Sequence, residues 1–379
     1  MLITTNRYDA GSGWEKPLSG ELDSDRTLLL LFGPSDMAPL ETALADLRRT
    51  FANSIWMGCS SAGEIEGRTL GDDTLAIAVA RFEHTALRLA CCAISESGDS
   101  FGVGKSVAAA LAAPDLKGVF VLSDGLSANG SELARGLSEI LPAQVLVAGG
   151  LAGDGSRFQH TWTLVDRRPA GRQVTAVGFY GDRLGIACAS RGGWDVLGPE
   201  RRVTKSVANV LYQLDGQPAL ALYRKYLGER ASGLPATGLL FPLSIRNHSE
   251  QDELTVRTIL SVNESENSIT FAGDIPQGAL VRLMRANLER LIDGAAGAAE
   301  RVDLSGYGGG ALLAVAISCV GRRLVLGQRT EEEIDAVLDG LPPETALVGY
   351  YSYGELSPLA SGRCDLKNQT MTLTLLWEN

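Results

Sequence analysis

The sequence predicts an α/β protein in which repeated strand–helix–strand–strand units form mixed sheets in two domains, with α+β as the alternative. Short apolar runs alternate with amphipathic segments, and the same order of runs returns along the chain. Each unit also has a glycine-containing turn. Helices between strands favour crossover connections, whereas successive strands after each turn favour antiparallel pairing.

The first unit follows a polar stretch, residues 1–26, that we expect to be a loose lead-in. Its first strand is an apolar run that stops at Gly33-Pro34, a strong breaking signal. Leucines at helical spacing follow and predict an amphipathic helix. The predicted order is a strand at 28–32, a helix through Phe51, a strand at 55–57, a turn at 58–64 and strands at 75–79 and 87–91.

A second unit repeats this order, with strands at 119–122 and 145–148 on either side of a helix. Its turn, at 149–155, lies almost the same distance from the first strand as the turn of the first unit does. We therefore align Ala62-Gly63-Glu64 with Ala152-Gly153-Asp154.

The last part of the chain resembles the first unit again, with the turn Ser352-Tyr353-Gly354-Glu355. Residues 190–199 break the pattern and predict a domain junction. The predicted division is a lead-in at 1–26, a domain with an internal duplication at 27–203 and a second domain at 204–379. In the second domain we expect helices at 203–214, 218–227, 280–292 and 330–341, and strands at 239–245, 254–262, 268–271, 312–319, 347–350 and 371–376.

Charge and composition exclude several classes of function. The net charge is −11 and no Lys/Arg-rich stripe occurs, so we expect no nucleic-acid partner. No run approaches the ~20 apolar residues that cross a bilayer, and the N-terminus lacks the pattern of a signal peptide. Six cysteines without metal-ligand spacing are typical of reduced thiols, so we expect a cytoplasmic protein that does not enter a membrane.

The glycine turns are the main candidate site. Their carboxylates and hydroxyls offer hydrogen-bond partners to a polar ligand, and three acidic groups favour one that carries an amine or several hydroxyls. The same side chains can instead satisfy the backbone of a tight turn, so both interpretations stay open. The candidate ligand contacts at these turns are Ser60, Ser61, Gly63, Glu64, Gly153, Asp154, Ser352, Tyr353 and Glu355.

Four further features have weaker interpretations. Residues 102–106 resemble the end of a phosphate-binding loop, but Asp99 stands where that loop needs glycine, so a helix N-terminus is expected. Cys59 ends a strand, although a nucleophilic thiol needs a base and the chain has only the histidines His84, His160 and His248. His160 lies near Phe158 and is either a haem ligand or a hydrogen-bonded strand residue. Trp194, at the junction, either covers a ligand or packs two domains together.

Together these segments resemble the FIST family, a bacterial sensory module with an N-terminal and a C-terminal part. The resemblance covers the chain from about Thr27 onward. It depends on the motifs 58–65, 149–155, 190–199, 271–276 and 351–355 in this order.

The resemblance implies a cytoplasmic, non-enzymatic protein that binds a small ligand, with amino acids as the proposed class, and no cofactor. Output would pass through a separate partner such as a histidine kinase or a cyclase. It also implies an alternative, because some family members are haem-binding nitric oxide sensors that act on a histidine kinase. The resemblance assigns the haem ligand to no particular histidine, and His160 is the candidate from its position near the second turn. A third possibility is a hydrolase-like enzyme that uses the turn carboxylates or Cys59.

Overall fold

A strand–helix–strand unit occurs three times in the chain, which confirms the α/β class with mixed sheets in two domains. The computed structural model describes residues 1–95, 98–246 and 254–379, so His248 lies outside the described residues. Among the described helices, none is long and apolar enough to cross a bilayer.

The elements follow one another in four groups. The first unit and the strands before it are β1 Leu2–Asp9, β2 Gly13–Trp14, β3 Thr27–Gly33, α1 Glu41–Thr50, β4 Ile55–Ser60, β5 Glu64–Glu66, β6 Thr69–Gly71, β7 Leu75–Arg81 and β8 Ala86–Ala93. The second unit and the helix before it are α2 Ser100–Leu111, β9 Leu116–Ser123, α3 Gly130–Ile140, β10 Leu146–Leu151, β11 Thr163–Val165, β12 Arg168–Ala170, β13 Gln173–Tyr180 and β14 Leu184–Arg191. The middle domain is β15 Asp195–Val196, β16 Arg201–Val207, β17 Val210–Leu214, β18 Gln217–Pro218, α4 Ala219–Leu227, β19 Leu243–Arg246, β20 Thr255–Arg257, β21 Ile259–Asn263, β22 Ser268–Phe271 and β23 Leu280–Arg285. The third unit and the helix before it are α5 Leu288–Glu300, β24 Leu313–Cys319, α6 Val320–Leu326, α7 Thr330–Asp339, β25 Ala346–Ser352, β26 Gly354–Pro358, β27 Cys364–Lys367 and β28 Met371–Glu378.

All three units build a sheet with the same strand order. The first two strands of a unit are parallel neighbours, and the long strand after its turn pairs antiparallel with the first. The three orders are β12-β11-β4-β3-β7-β1-β2, β27-β26-β10-β9-β13-β8 and β6-β5-β25-β24-β28-β14.

Each sheet is completed by a hairpin from another unit. The hairpin β5–β6 of the first unit joins the sheet of the third, β11–β12 of the second joins the first, and β26–β27 of the third joins the second. This exchange is cyclic, so the three units surround a pseudo-threefold axis and form one body.

The inner faces of the three sheets share a core around this axis. Phe32, Leu122 and Ile317 occupy equivalent strand positions and are fully buried in the same cluster. Helix α1 covers the outer face of the first sheet, while α2, α3, α5 and α7 cover the outer faces of the other two. The middle domain has its own core, in which α4 packs on the sheet.

The structure corrects the prediction for the N-terminal segment. We expected a loose lead-in, but Leu2–Asp9 forms β1, which pairs with β7 from Leu2↔Arg81 to Tyr8↔Leu75. The strand takes the position that β8 and β14 take in the other two sheets. The physical reason is that without β1 the edge of β7 would have unpaired backbone N–H and C=O groups, which β1 satisfies.

Of the predicted helices, the one at 203–214 is wrong throughout and the one at 280–292 is wrong in its first part. Residues 203–214 lie in β16 and β17, and residues 280–285 form β23 ahead of α5. In β23 the buried Val281 and Leu283 flank the exposed Arg282, which is the period-two pattern of a strand. The helix predicted at 218–227 is confirmed as α4, and residues 102–106 lie inside α2, which the side chain of Asp99 caps.

One glycine recurs at the same position in the second strand of every unit, namely Gly58, Gly149 and Gly349. Each pairs in register with the first strand of its own unit. A Cβ atom at these positions would lie 2.2, 1.9 and 2.0 Å from a carbonyl oxygen of that strand. Because such distances are sterically forbidden, these sites require glycine.

We therefore expect Gly349→Ala to lower the free energy of unfolding by about 1–3 kcal/mol, because the new methyl group overlaps the Ala316 carbonyl. Urea denaturation of the purified protein measures this change. Gly306→Ala is the control, since its nearest neighbour would be Trp377 Cζ2 at 3.8 Å, and its change should stay within about 0.5 kcal/mol. Equal stability of the two variants would contradict the steric argument.

Candidate functional site

The three predicted turns meet at the pseudo-threefold axis. One backbone N–H of each turn donates to a carbonyl oxygen of a neighbouring turn, and each bond joins a different pair of units. The bonds run from Ala62 to Tyr351 (2.8 Å), from Gly153 to Ser60 (3.0 Å) and from Tyr353 to Leu151 (3.3 Å). The turns thus form a closed ring of backbone hydrogen bonds.

The strand register corrects the alignment of the middle turn. Counted from the recurring glycines Gly58 and Gly149, Glu64 matches Gly155 and Asp154 lies one position earlier. The predicted alignment, which counted from the first strand, was shifted because the connection between the first two strands is one residue longer in the second unit, as the pairs Leu31↔Gly58 and Val121↔Gly149 show. Glu64 and Glu355 remain equivalent to each other.

The side chains of Glu64 and Glu355 are buried and bonded within the protein. Glu64 Oε2 accepts hydrogen bonds from the N–H and the hydroxyl of Thr74, both at 3.1 Å. Glu355 Oε2 accepts from the Thr370 hydroxyl at 2.8 Å, and the hydroxyl of Ser352 donates to Oε1 at 2.7 Å. Burial raises the pKa of each carboxyl to about 8, although these hydrogen bonds oppose the shift.

Asp154 has a different environment from the two glutamates. Burial would raise the pKa of its carboxyl, but several hydrogen bonds together hold the pKa below its usual value. Its oxygens accept from the backbone N–H groups of Phe158, Gln159 and His160 at 2.8–2.9 Å and from the Tyr353 hydroxyl. This carboxylate therefore fixes the loop after the second turn and ties it to the third.

The other predicted contacts lie around the same ring, except Trp194. The Ser60 hydroxyl accepts from Trp162 N–H at 3.1 Å, and the Ser61 hydroxyl accepts from Gly63 N–H at 2.8 Å. Trp194 lies at the junction with the middle domain, where its indole N–H donates to the Gln369 carbonyl at 2.9 Å. The structure thus brings the turn residues together and leaves Trp194 apart from them.

His160 and Cys59 have contrasting environments. The His160 side chain is exposed beside Phe158, which is itself 47% exposed and stacks on Tyr353. Cys59 is fully buried, and burial raises the pKa of its thiol far above the usual value, which disfavours a nucleophilic thiolate. Among the described residues, no cluster of three or more His, Cys, Asp or Glu side chains is arranged to hold a metal ion.

The sequence prediction missed a polar cleft between the three-unit body and the middle domain. The cleft has a volume of about 290 Å³. One wall is α3, another is the β20 side of the middle domain, and a third is the segment around β27. Its charged lining residues are Arg135, Glu139, Arg257, Asp274, Arg363 and Asp365.

Arg257 is the one buried residue among these charged lining residues. Its side chain crosses from the middle domain to the body, where Nη1 donates to the Leu366 carbonyl at 2.8 Å. Nε donates to the Asp274 carbonyl at 3.3 Å. The sequence signal for this residue was weak, because an arginine in the strand-like run 254–262 reads as a solvent-facing position.

Comparison with known families agrees with this architecture. A FIST N domain model matches residues 27–217, and a FIST C domain model matches residues 219–358. The chain belongs to the FIST family, whose domains are sensory, small-ligand-binding modules. The comparison with curated proteins finds no significant match.

The two buried glutamates predict a pH dependence of stability. Their folded pKa of about 8 lies above the unfolded value of about 4.3, so the folded state binds more protons between these values. The stabilisation is fully present below about pH 4 and is lost as the pH rises through 8. We expect the free energy of unfolding to fall between pH 5.5 and 7.5.

Urea denaturation at pH 5.5, 6.5 and 7.5 measures this slope. The double variant Glu64→Gln/Glu355→Gln should show a flatter profile, because glutamine stays neutral. The exposed Glu300→Gln should keep the slope of the unmodified protein. An equally steep profile in the double variant would contradict the assignment of the slope to these two groups.

Proposed function

We propose that this FIST protein is a cytoplasmic sensor that binds a small polar metabolite, such as an amino acid, and signals through a separate protein. A histidine kinase or a cyclase is the proposed kind of partner. The observation that carries this proposal is the cleft between the body and the middle domain, where Arg257 is buried. Small-molecule sites prefer such domain interfaces.

We favour the cleft over the turns as the place of the ligand. At the turns, Glu64, Asp154 and Glu355 already accept hydrogen bonds from neighbouring groups of the protein. Displacing these bonds would leave buried donors unpaired, which costs about 1–3 kcal/mol for each group.

The turn of Glu355 takes an indirect part in this proposal. In the ladder between β26 and β27, Glu355 pairs with Lys367, and β27 begins at Cys364, which lines the cleft. A ligand that moves this wall of the cleft would therefore act on the third turn. The ring of backbone bonds offers a path from there to the other two units.

Haem binding remains the alternative prediction. The exposed position of His160 offers no enclosed apolar pocket for an axial ligand, so the geometry favours the metabolite. An absorption spectrum of the protein expressed with haem supplied distinguishes the two. A Soret band that disappears in His160→Ala would support haem and count against the metabolite.

A thermal shift assay against an amino-acid panel tests the proposed function. A ligand at a hundred times its dissociation constant should add about 2.7 kcal/mol to the free energy of unfolding and raise the midpoint accordingly. The panel should include related amines and carboxylic acids, so that the class of ligand is read from the pattern. No shift with any compound would overturn the proposal.

A further inference from the structure

The two buried arginines of the described residues differ in their partners. Arg322 is fully buried, and its Nη2 lies 2.7 Å from the Glu333 carboxylate. Arg257 is 5% exposed and bonds only to backbone carbonyl groups, those of Asp274, Leu366 and Val256. It makes no salt bridge with any described carboxylate, although Asp274 and Asp365 are near enough to act on its charge.

An unpaired buried cation is costly, because removing an ion from water costs several kcal/mol unless an opposite charge compensates it. Burial accordingly lowers the pKa of Arg257. The backbone carbonyl groups accept from Nε and Nη1, which leaves Nη2 without a hydrogen-bond acceptor among the described residues. The guanidinium therefore retains donor capacity toward the cleft that it lines.

The cleft suits a small anionic group beside this guanidinium. The lining has as many arginines as carboxylates: Arg135, Arg257 and Arg363 stand beside Glu139, Asp274 and Asp365, and Arg135 also pairs with Glu132. Ser131 and Ser138 contribute hydroxyl groups. A volume of about 290 Å³ is at the lower end of small-molecule sites, which matches a metabolite rather than a large cofactor.

We propose that the cleft is an anion site in which Arg257 is the counter-ion for the carboxylate or phosphate group of a small metabolite. Guanidinium groups bind both anions through paired N–H donors, which lysine does not reproduce. This deepens the proposed function and rests on it for the signalling role of the occupant. The anion site itself is testable without knowing the metabolite.

The test measures binding of acetate and of inorganic phosphate to the full chain, by the unfolding midpoint at constant ionic strength with chloride as the reference anion. At least one of the two should raise the midpoint saturably. The anion that does so shows whether the site prefers a carboxylate or a phosphate group. Arg257→Lys should weaken that binding at least tenfold. The control Arg49→Gln, an exposed residue of α1, should leave it unchanged.

A second variant keeps the test decisive if Arg257→Lys does not fold. Asp365→Asn removes a carboxylate that competes with the anion for the field of Arg257, so it should tighten binding of the same probe about threefold or more. Three outcomes would each overturn the anion site. The first is that neither anion shifts the midpoint saturably beyond chloride, and the second is unchanged binding in Arg257→Lys. The third is unchanged or weaker binding in Asp365→Asn.

The outcomes also separate the anion site from the sensor function. A metabolite that binds Arg257→Lys as tightly as the unmodified protein would overturn the anion site and leave the sensor function standing. Saturable anion binding that weakens in Arg257→Lys and tightens in Asp365→Asn would support the anion site. If no metabolite of the panel then shifted the unfolding midpoint, the result would count against the proposed ligand class.

Discussion

The close approach of parallel strands at the pseudo-threefold axis is the constraint on which the rest of this structure depends. The recurring glycine of each unit leaves room for a carbonyl oxygen about 2 Å from where a Cβ would stand. Just after this glycine, each chain segment leaves its own sheet and its hairpin joins a neighbouring one. The turns at these crossings bond to one another and close the ring of backbone hydrogen bonds. The turns therefore stabilise the fold, and their carboxyl groups, those of Glu64, Asp154 and Glu355, accept hydrogen bonds within it.

The same constraint is the reason why we propose the ligand site at the edge of the body and not at its axis. Backbone bonds and buried cores fix the three sheets to one another, whereas the described residues join the body to the middle domain through hydrogen bonds to side chains, such as those of Asp274 with Asn129 and Ser131. Trp194 reaches Gln369 at one contact, and Arg257 reaches Leu366 at another. The proposed ligand would act on these contacts, and rearrangement of contacts between packed bodies is the usual basis of domain closure.

The two buried arginines of the described residues differ in how their charge is compensated. Arg322 is paired with Glu333, which also accepts from Ser318 and from Tyr351, so this network is satisfied internally. It holds the junction as well, since Arg322 donates to the Gly192 carbonyl. Arg257 has no such carboxylate partner among the described residues, and this difference supports the anion that we propose for its cleft.

The sequence by itself determined the α/β class, the repeated unit and the paired turns of Glu64 and Glu355. Local patterns are enough for these features, because apolar runs, glycine breaks and helical spacing are read within a few residues. The helix predicted at 280–292 failed over residues 280–285 for the same reason, since a short apolar run does not distinguish helix from strand without its neighbours.

Only the tertiary structure decided which strands exchange between units, that Leu2–Asp9 completes the first sheet, and that Asp154 is offset from Glu64. It alone brought Arg257 of the middle domain against β27 of the third unit, more than a hundred residues later in the chain. The physical reason is that pairing register and buried charge depend on which distant segments meet, and no local pattern in a single sequence specifies that meeting.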